Sequence, residues 1–150
     1  MTIYVDADSC PVKVREIISK AAIRREVTAR FVAARSIPVK TSPWIELIVV
    51  EPGQDAADME IQRLAEPGDM VITRDIPLAA ELVELGLTVL NDRGTQFTPE
   101  NIRTRLSERN FMAELRAMGL ESMKDRSFSP KEIQAFASAF DRELTRLLKE

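Results

Sequence analysis

The chain has 150 residues, of which 45% are apolar and 30% charged, the proportions of a globular chain long enough to remove roughly 70% of its unfolded surface from water. Histidine is absent and cysteine occurs once, which excludes Ser-His-Asp and Cys-His catalysis, imidazole zinc sites, internal disulfides and Cys₄ clusters. A formal net charge of -3 does not fit indiscriminate polyanion binding, and what remains for chemistry is carboxylate, hydroxyl, lysine and arginine.

Residues 2–6, TIYVD, form a short β-rich run ending at an acid, and Ser9-Cys10-Pro11 follows, where a helix is expected to begin. Val14, Ile17, Ile18, Ala21 and Ala22 then repeat at helical spacing, with Lys13, Arg15, Lys20 and Arg24 facing outward. A second strand is expected at Val27–Ala33, a proline-bearing loop at Ser36–Pro43, and a buried strand in the run Ile45–Val50, apolar apart from Glu46. Asp55 is placed to cap a helix reaching Ala65, with Ala57, Ile61, Leu64 and Ala65 inward. Met70–Thr73 reads as a fourth strand. Pro77 opens a helix that Gly86 stops, and Leu87–Asn91 is a fifth strand.

Strands alternating with helices of this length predict βαβ units, hence a mostly parallel sheet covered on both faces. After Gly94 the pattern is helical without strands. One helix starts at Thr98-Pro99 and continues through Phe111 to Met118, a polar linker occupies 121–128, and Ser129 with Glu132 matches a capping box ahead of Ile133, Phe136, Phe140, Leu144 and Leu147. No run approaches the roughly 18 apolar residues of a membrane span, and MTIYVDAD lacks the basic start and apolar stretch of a signal peptide. The expected setting is the cytoplasm, with no membrane partner.

Charge is unevenly spread: residues 1–40 hold eight basic and four acidic side chains, residues 41–100 three and twelve, residues 101–150 ten and eight. Ligands of open parallel sheets bind beyond the carboxyl ends of the strands. Asp6 ends the first strand and Asp8 lies two residues on. Asp75 lies two residues past the fourth strand, and Asp58 sits in the first turn of the helix after the third. Four carboxylates therefore map to one sheet end, where like charges require a cation or retained protons. Oxygen-only donors select a hard ion, Mg²⁺ or Mn²⁺, and such ions promote in-line hydrolysis of phosphodiesters.

Each residue also has a plain structural reading. Asp55 and Asp58 fit a helix cap and a first-turn acid, Asp75 fits a cap, Asp6 and Asp8 fit turn formers, and Asp69 beside Gly68 is read as a turn residue. Ser9 either approaches the ion site or caps the first helix. Thr73 either orients Asp75 or a phosphate, or is simply a strand residue. Lys13 and Arg93 are candidates to meet phosphate at the rim, and Arg103, Arg105 and Arg109 give their helix a basic surface able to follow a nucleic-acid backbone; ordinary solvation explains them too. Cys10 is read as a packed thiol and Trp44 as a packed ring rather than a base-stacking one.

The sequence closely resembles the YaiI/YqxD family of bacterial proteins through VDADSCPVK at 5–13, DAADMEI at 55–61, GDMVITRDIPLAAE at 68–81 and NDRGTQFTPENIRTRL at 91–106, a likeness over nearly the whole chain. That family is grouped with PIN-like and NYN-like domains. The resemblance implies one PIN-like domain over 1–150, with an α/β core at 1–95 and a C-terminal helical extension at 96–150. The implied architecture is three-layered, its sheet of about five strands in the order 3-2-1-4-5. It also implies metal-dependent ribonuclease chemistry, with Asp6 as the first metal-binding acid, Asp58 as the helix-borne acid and Asp75 as the acid after the fourth strand. Asp8 belongs to this family's own version of the first motif. Departures are Ala34 where Asn is expected, Asp92 where Pro is common, and Ser122, Met123 and Lys124 in place of a GGP segment.

The combined expectation is a Mg²⁺- or Mn²⁺-dependent ribonuclease or nuclease acting on single-stranded nucleic acid. Asp6, Asp8, Asp58 and Asp75 form its catalytic and metal site, and Ser9, Lys13, Asp55, Thr73 and Arg93 support it. The alternative is a non-catalytic module that binds metal and RNA or protein. A DxD phosphatase of haloacid-dehalogenase type ranks lower, because Cys10 stands where it needs Thr and residues 41–123 contain no Lys.

Overall fold

A computed structural model describes residues 1–119 and 128–149. Ser122, Met123 and Lys124, and all of the expected 121–128 linker except Phe128, lie outside the described residues. The elements are β1 (Thr2–Asp6), a single 3-10 turn (Ala7–Ser9), α1 (Val12–Arg25), β2 (Thr28–Ala33), β3 (Ile45–Val49), α2 (Ala56–Leu64), β4 (Met70–Ile72), α3 (Ile76–Glu84), β5 (Thr88–Leu90), β6 (Gln96–Phe97), α4 (Pro99–Ala117) and α5 (Pro130–Leu148). The sheet runs β3-β2-β1-β4-β5-β6. The first five strands are mutually parallel, and β6 lies antiparallel to β5.

Strand side chains alternate between two cores. Ile3, Val5, Met70 and Ile72 face α1 and α5, packing with Val14, Ile18, Phe136, Phe140 and Leu144. Tyr4, Val32, Val71 and Val89 face the other way, against Ile61 of α2, Leu78 and Leu82 of α3 and Ile102 of α4. The result is three layers, with the short central strands β1 and β4 buried on both sides.

Four expectations are corrected. β6 is a sixth strand in a stretch read as strandless; Gln96-Phe97 is too short to show a period, and its pairing with β5 comes from the tight turn at 91–95. β3 is an edge strand rather than a buried one, with Val49 53% exposed, because nothing among the described residues pairs on its outer side. α1 starts one residue later than expected, with Pro11 at the cap position and no side-chain cap bond, so Ser9 caps nothing there. The Ser129–Glu132 box forms only half: Ser129 Oγ accepts from the Glu132 amide, while the Glu132 carboxylate pairs with Arg93. A complete box forms instead at Thr98 and Asn101, opening α4. No described helix is long and apolar enough to cross a membrane.

Gly94 fixes how α5 meets the sheet. Its φ is +88°, and a Cβ there would stand 2.6 Å from the Ala135 carbonyl oxygen of α5. Left-handed strain and overpacking each cost about 1–3 kcal/mol. Gly94→Ala should therefore lower the melting temperature by roughly 5–15 °C, whereas Gly53→Ala, which meets nothing within 4 Å, should leave it nearly unchanged. Equal effects in calorimetry would show that α5 does not press on this turn.

Candidate metal centre

Strand register decides which acids converge. Val5 pairs with Ile72, so the next residues, Asp6 and Thr73, leave the sheet side by side, and Thr73 Oγ1 donates to Asp6 Oδ2 at 3.1 Å. The same hydroxyl accepts from the Asp75 amide at 3.0 Å. Asp75 then caps α3, its Oδ1 accepting from the Leu78 amide at 2.9 Å. Thr73, almost fully buried, thus joins the acid of β1 to the acid after β4.

Asp58, in the first turn of α2, completes the approach from above the sheet. Carboxylate oxygens of Asp55, Asp58 and Asp75 lie within 4.8 Å of one another. Asp55 occupies the cap position of α2 but makes no side-chain cap bond, and its backbone is left-handed at φ 59°. The expected cap is therefore corrected to a carboxylate turned toward its neighbours. The electrostatic effect is large: Asp58 is pushed up to about 8, first by burial, then by its hydrogen bond to Asp75 and by the charges of Asp75, Asp6 and Asp55. Asp6 is also raised, chiefly by burial, with Thr73 opposing and Asp75 and Asp8 adding.

Asp8 follows a different register. Asp6 pairs with Val32 of β2, and two residues on, Asp8 Oδ2 accepts from the Ala34 amide at 2.8 Å, with Arg35 4.0 Å from Oδ1. Its side chain is thereby committed to β2, away from the Asp55, Asp58 and Asp75 cluster. Ser9 is exposed and borders a small hollow with Asp6, Cys10, Thr73, Arg74 and Asp92. Lys13 is exposed on α1, across the sheet from α2 and α3. Arg93 braces the fold through Glu132 and lies over the Phe128 ring, 5.5 Å from its centroid. Burial, with Asp92 adding, pushes the Cys10 thiol up to about 12, so it carries no thiolate at neutral pH.

The acids open into a cleft of about 480 Å³ bounded by Gln54, Met59, Gln62, Pro77 and Glu81, with Arg109 of α4 contributing to its wall. In the sequence Arg109 stands out only as part of a basic helix surface. The Asp55/Asp58 spacing of i, i+3 at a helix start was the signal for Asp55. Arg74 and Asp92, which form a 2.6 Å ion pair with Asp92 buried, had no such signal.

The model of a family described as "Uncharacterized BCR, YaiI/YqxD family" matches residues 4–146. The chain belongs to the YaiI/YqxD family. Relatives named UPF0178 protein include one from Treponema denticola, 50% identical over 150 residues covering 100% of this chain and 96% of the relative. Another, from Maridesulfovibrio salexigens, is 50% identical over 99% of this chain and 98% of its own length. A third, from Shewanella amazonensis, is 46% identical over 99% and 100%. No solved structure matches. Neither the YaiI/YqxD description nor these names specifies an activity. The matched span includes every acid of the cluster.

Asp58 gives a signed pH dependence. Without a dication, the folded protein keeps this proton to about pH 8, whereas the unfolded chain releases it near pH 4. The unfolded state binds fewer protons across that interval, so stability falls as pH rises from about 4 to 8. Thermal unfolding in chelator-treated buffer should show that decline, and Asp58→Asn should flatten it and raise the melting point at pH 8. An unchanged slope in the variant would mean Asp58 holds no anomalous proton.

Proposed function

We propose that the chain is a PIN-like phosphodiesterase, dependent on Mg²⁺ or Mn²⁺, that hydrolyses single-stranded RNA or related nucleic acid in the cytoplasm. The observation that carries this reading is the approach of the Asp55, Asp58 and Asp75 carboxylates to within 4.8 Å. Three acids at that spacing with no imidazole or thiolate beside them form an all-oxygen donor set, the kind that hard dications occupy. The order 3-2-1-4-5 of the five parallel strands agrees with the PIN-like assignment.

Asp55 and Asp75 would offer carboxylate oxygens, and Asp58 would release its proton as a cation enters, since ligand carboxylates must be deprotonated. Asp6, held by Thr73, adds a further carboxylate beside them. A dication held there supplies positive charge that lowers the pKa of an attacking water and offsets charge developing on phosphorus. Arg109, at the cleft wall, is placed to attract the phosphodiester before it reaches the acids.

With Mn²⁺, the purified protein should cleave a mixed single-stranded RNA pool. Asp75→Asn should lower the rate by at least about 100-fold, a loss larger than outer-shell changes bring, while leaving the α3 cap intact because an amide oxygen still accepts from the Leu78 amide. Cleavage that survives both Asp6→Asn and Asp75→Asn would assign the activity elsewhere. Dication binding without cleavage of RNA or DNA would favour the non-catalytic binding module, a role the net charge of -3 also permits.

A further inference from the structure

Next to the acidic cleft lies a hollow of about 200 Å³ lined by Arg74, Ile76, Asn91, Asp92, Arg93, Phe97 and Arg105. Residues 41–100 contain three basic side chains, and two of them meet here. The register explains one. Ile72 pairs with Leu90, so two residues on, Arg74 and Asp92 fall opposite each other, and Asp92 takes the Arg74 Nε donor at 2.6 Å. Arg93 is braced in turn by Glu132. Each guanidinium has five donors, so both retain hydrogen-bonding capacity while being held in place. Arg105 is half-buried and pairs with none of the described residues.

The two cavities share their boundaries. Arg74 and Ile76 line the hollow while Asp75 and Pro77 line the acidic cleft, so a single short segment divides them. On α4, Arg105 lines the hollow and Arg109 the cleft. These positions are one turn apart on one face, about 6 Å along the axis. Arg109 within the cleft and the arginines of the adjoining hollow thus place cations next to the acids.

We propose that the Arg74–Arg93–Arg105 hollow is a phosphate subsite that holds an internal phosphodiester of a single strand next to the one lying over the acids. The proposal rests on the phosphodiesterase reading for what occupies the neighbouring cleft. Charge selects the ligand. Asp92 compensates Arg74 and Glu132 compensates Arg93, leaving Arg105 as one uncompensated positive charge, which matches a phosphodiester monoanion better than the double charge of a terminal phosphate. A bidentate guanidinium fork suits two phosphate oxygens.

The test is binding without catalysis. Fluorescence anisotropy with a labelled single-stranded RNA octamer, in EDTA so that nothing is cleaved, should give a Kd that rises about tenfold in Arg105→Gln. The salt slope should fall by about 0.7, the value for one lost contact on a single strand. Arg105→Lys should recover part of the affinity and of the slope. Arg105 is the residue of choice because removing Arg74 would strand buried Asp92; an unchanged melting point confirms that the variant is folded.

An octamer with a 5′-phosphate should bind no more than about twofold tighter than its 5′-hydroxyl form, and 10-fold or greater preference would assign the hollow to terminal phosphate instead. Octamer affinity unaltered by Arg105→Gln, or competed equally by millimolar inorganic phosphate, would overturn the subsite. Because no metal is present, an inactive protein that still shows the Arg105 effect would refute the nuclease reading while leaving the subsite standing.

Discussion

Crowded carboxylates at the carboxyl edge of the sheet set the terms for the rest of this structure. Two ionised acids less than 5 Å apart repel by a few kcal/mol at the effective dielectric near a protein surface, and a domain of this size has a total margin of only about 5–15 kcal/mol. The protein relieves the repulsion with a proton: Asp58, pushed up to about 8, donates to Asp75. That remedy works without a metal, and on the proposed reading this proton is what an entering cation would displace. Ordinary capping does not explain the arrangement, since Asp55 sits left-handed at the start of α2 and its side chain caps nothing.

The parallel sheet turns this local feature into a site. In parallel pairing all strands discharge their chains at the same edge, so register alone selects neighbours beyond the last paired residues. Asp6 emerges beside Thr73, Asp8 beside Ala34 and Arg74 beside Asp92. Two aspartates separated by one alanine therefore end on different sides of β1, one engaging β4 and the other β2. The DAD sequence looks like a single chelating unit, yet the strand divides it. Thr73 supplies what that division removes, bonding Asp6 and the amide that places Asp75.

Much of this was legible in the residues because hydrophobic period and turn chemistry agree. The alternating β and α segments, the apolar faces of α1, α3 and α5, and the collection of Asp6, Asp58 and Asp75 at one edge all follow from spacing. What escaped the sequence depends on partners distant along the chain. Ile45–Val50 reads as interior because five of its six residues are apolar, but exposure depends on whether a strand lies beyond it. Gln96-Phe97 is a strand only because β5 is within reach. Glu132 has the right position for a reciprocal cap, yet its carboxylate goes to Arg93, a stronger, charged partner. Asp55 is the instructive case: sequence gives its place at the helix start, while only its backbone conformation turns its carboxylate toward Asp58.

The net charge of -3 looks unfavourable for a nucleic-acid ligand, but screening restricts what such a ligand feels to roughly the nearest 8–10 Å at ordinary ionic strength. Within that distance the relevant charges are the acids of the cleft, Arg109 on its wall, and the three arginines of the adjoining hollow. Much of the chain's negative charge lies in the same middle segment as the cleft, so acids and cations are interleaved there. On the proposed reading, a strand would meet attraction from Arg109 and from the adjoining hollow beside a repulsive centre that a dication would neutralise. A phosphate over the acids would then need the metal, whereas the fixed arginines of the hollow would attract phosphate with or without it.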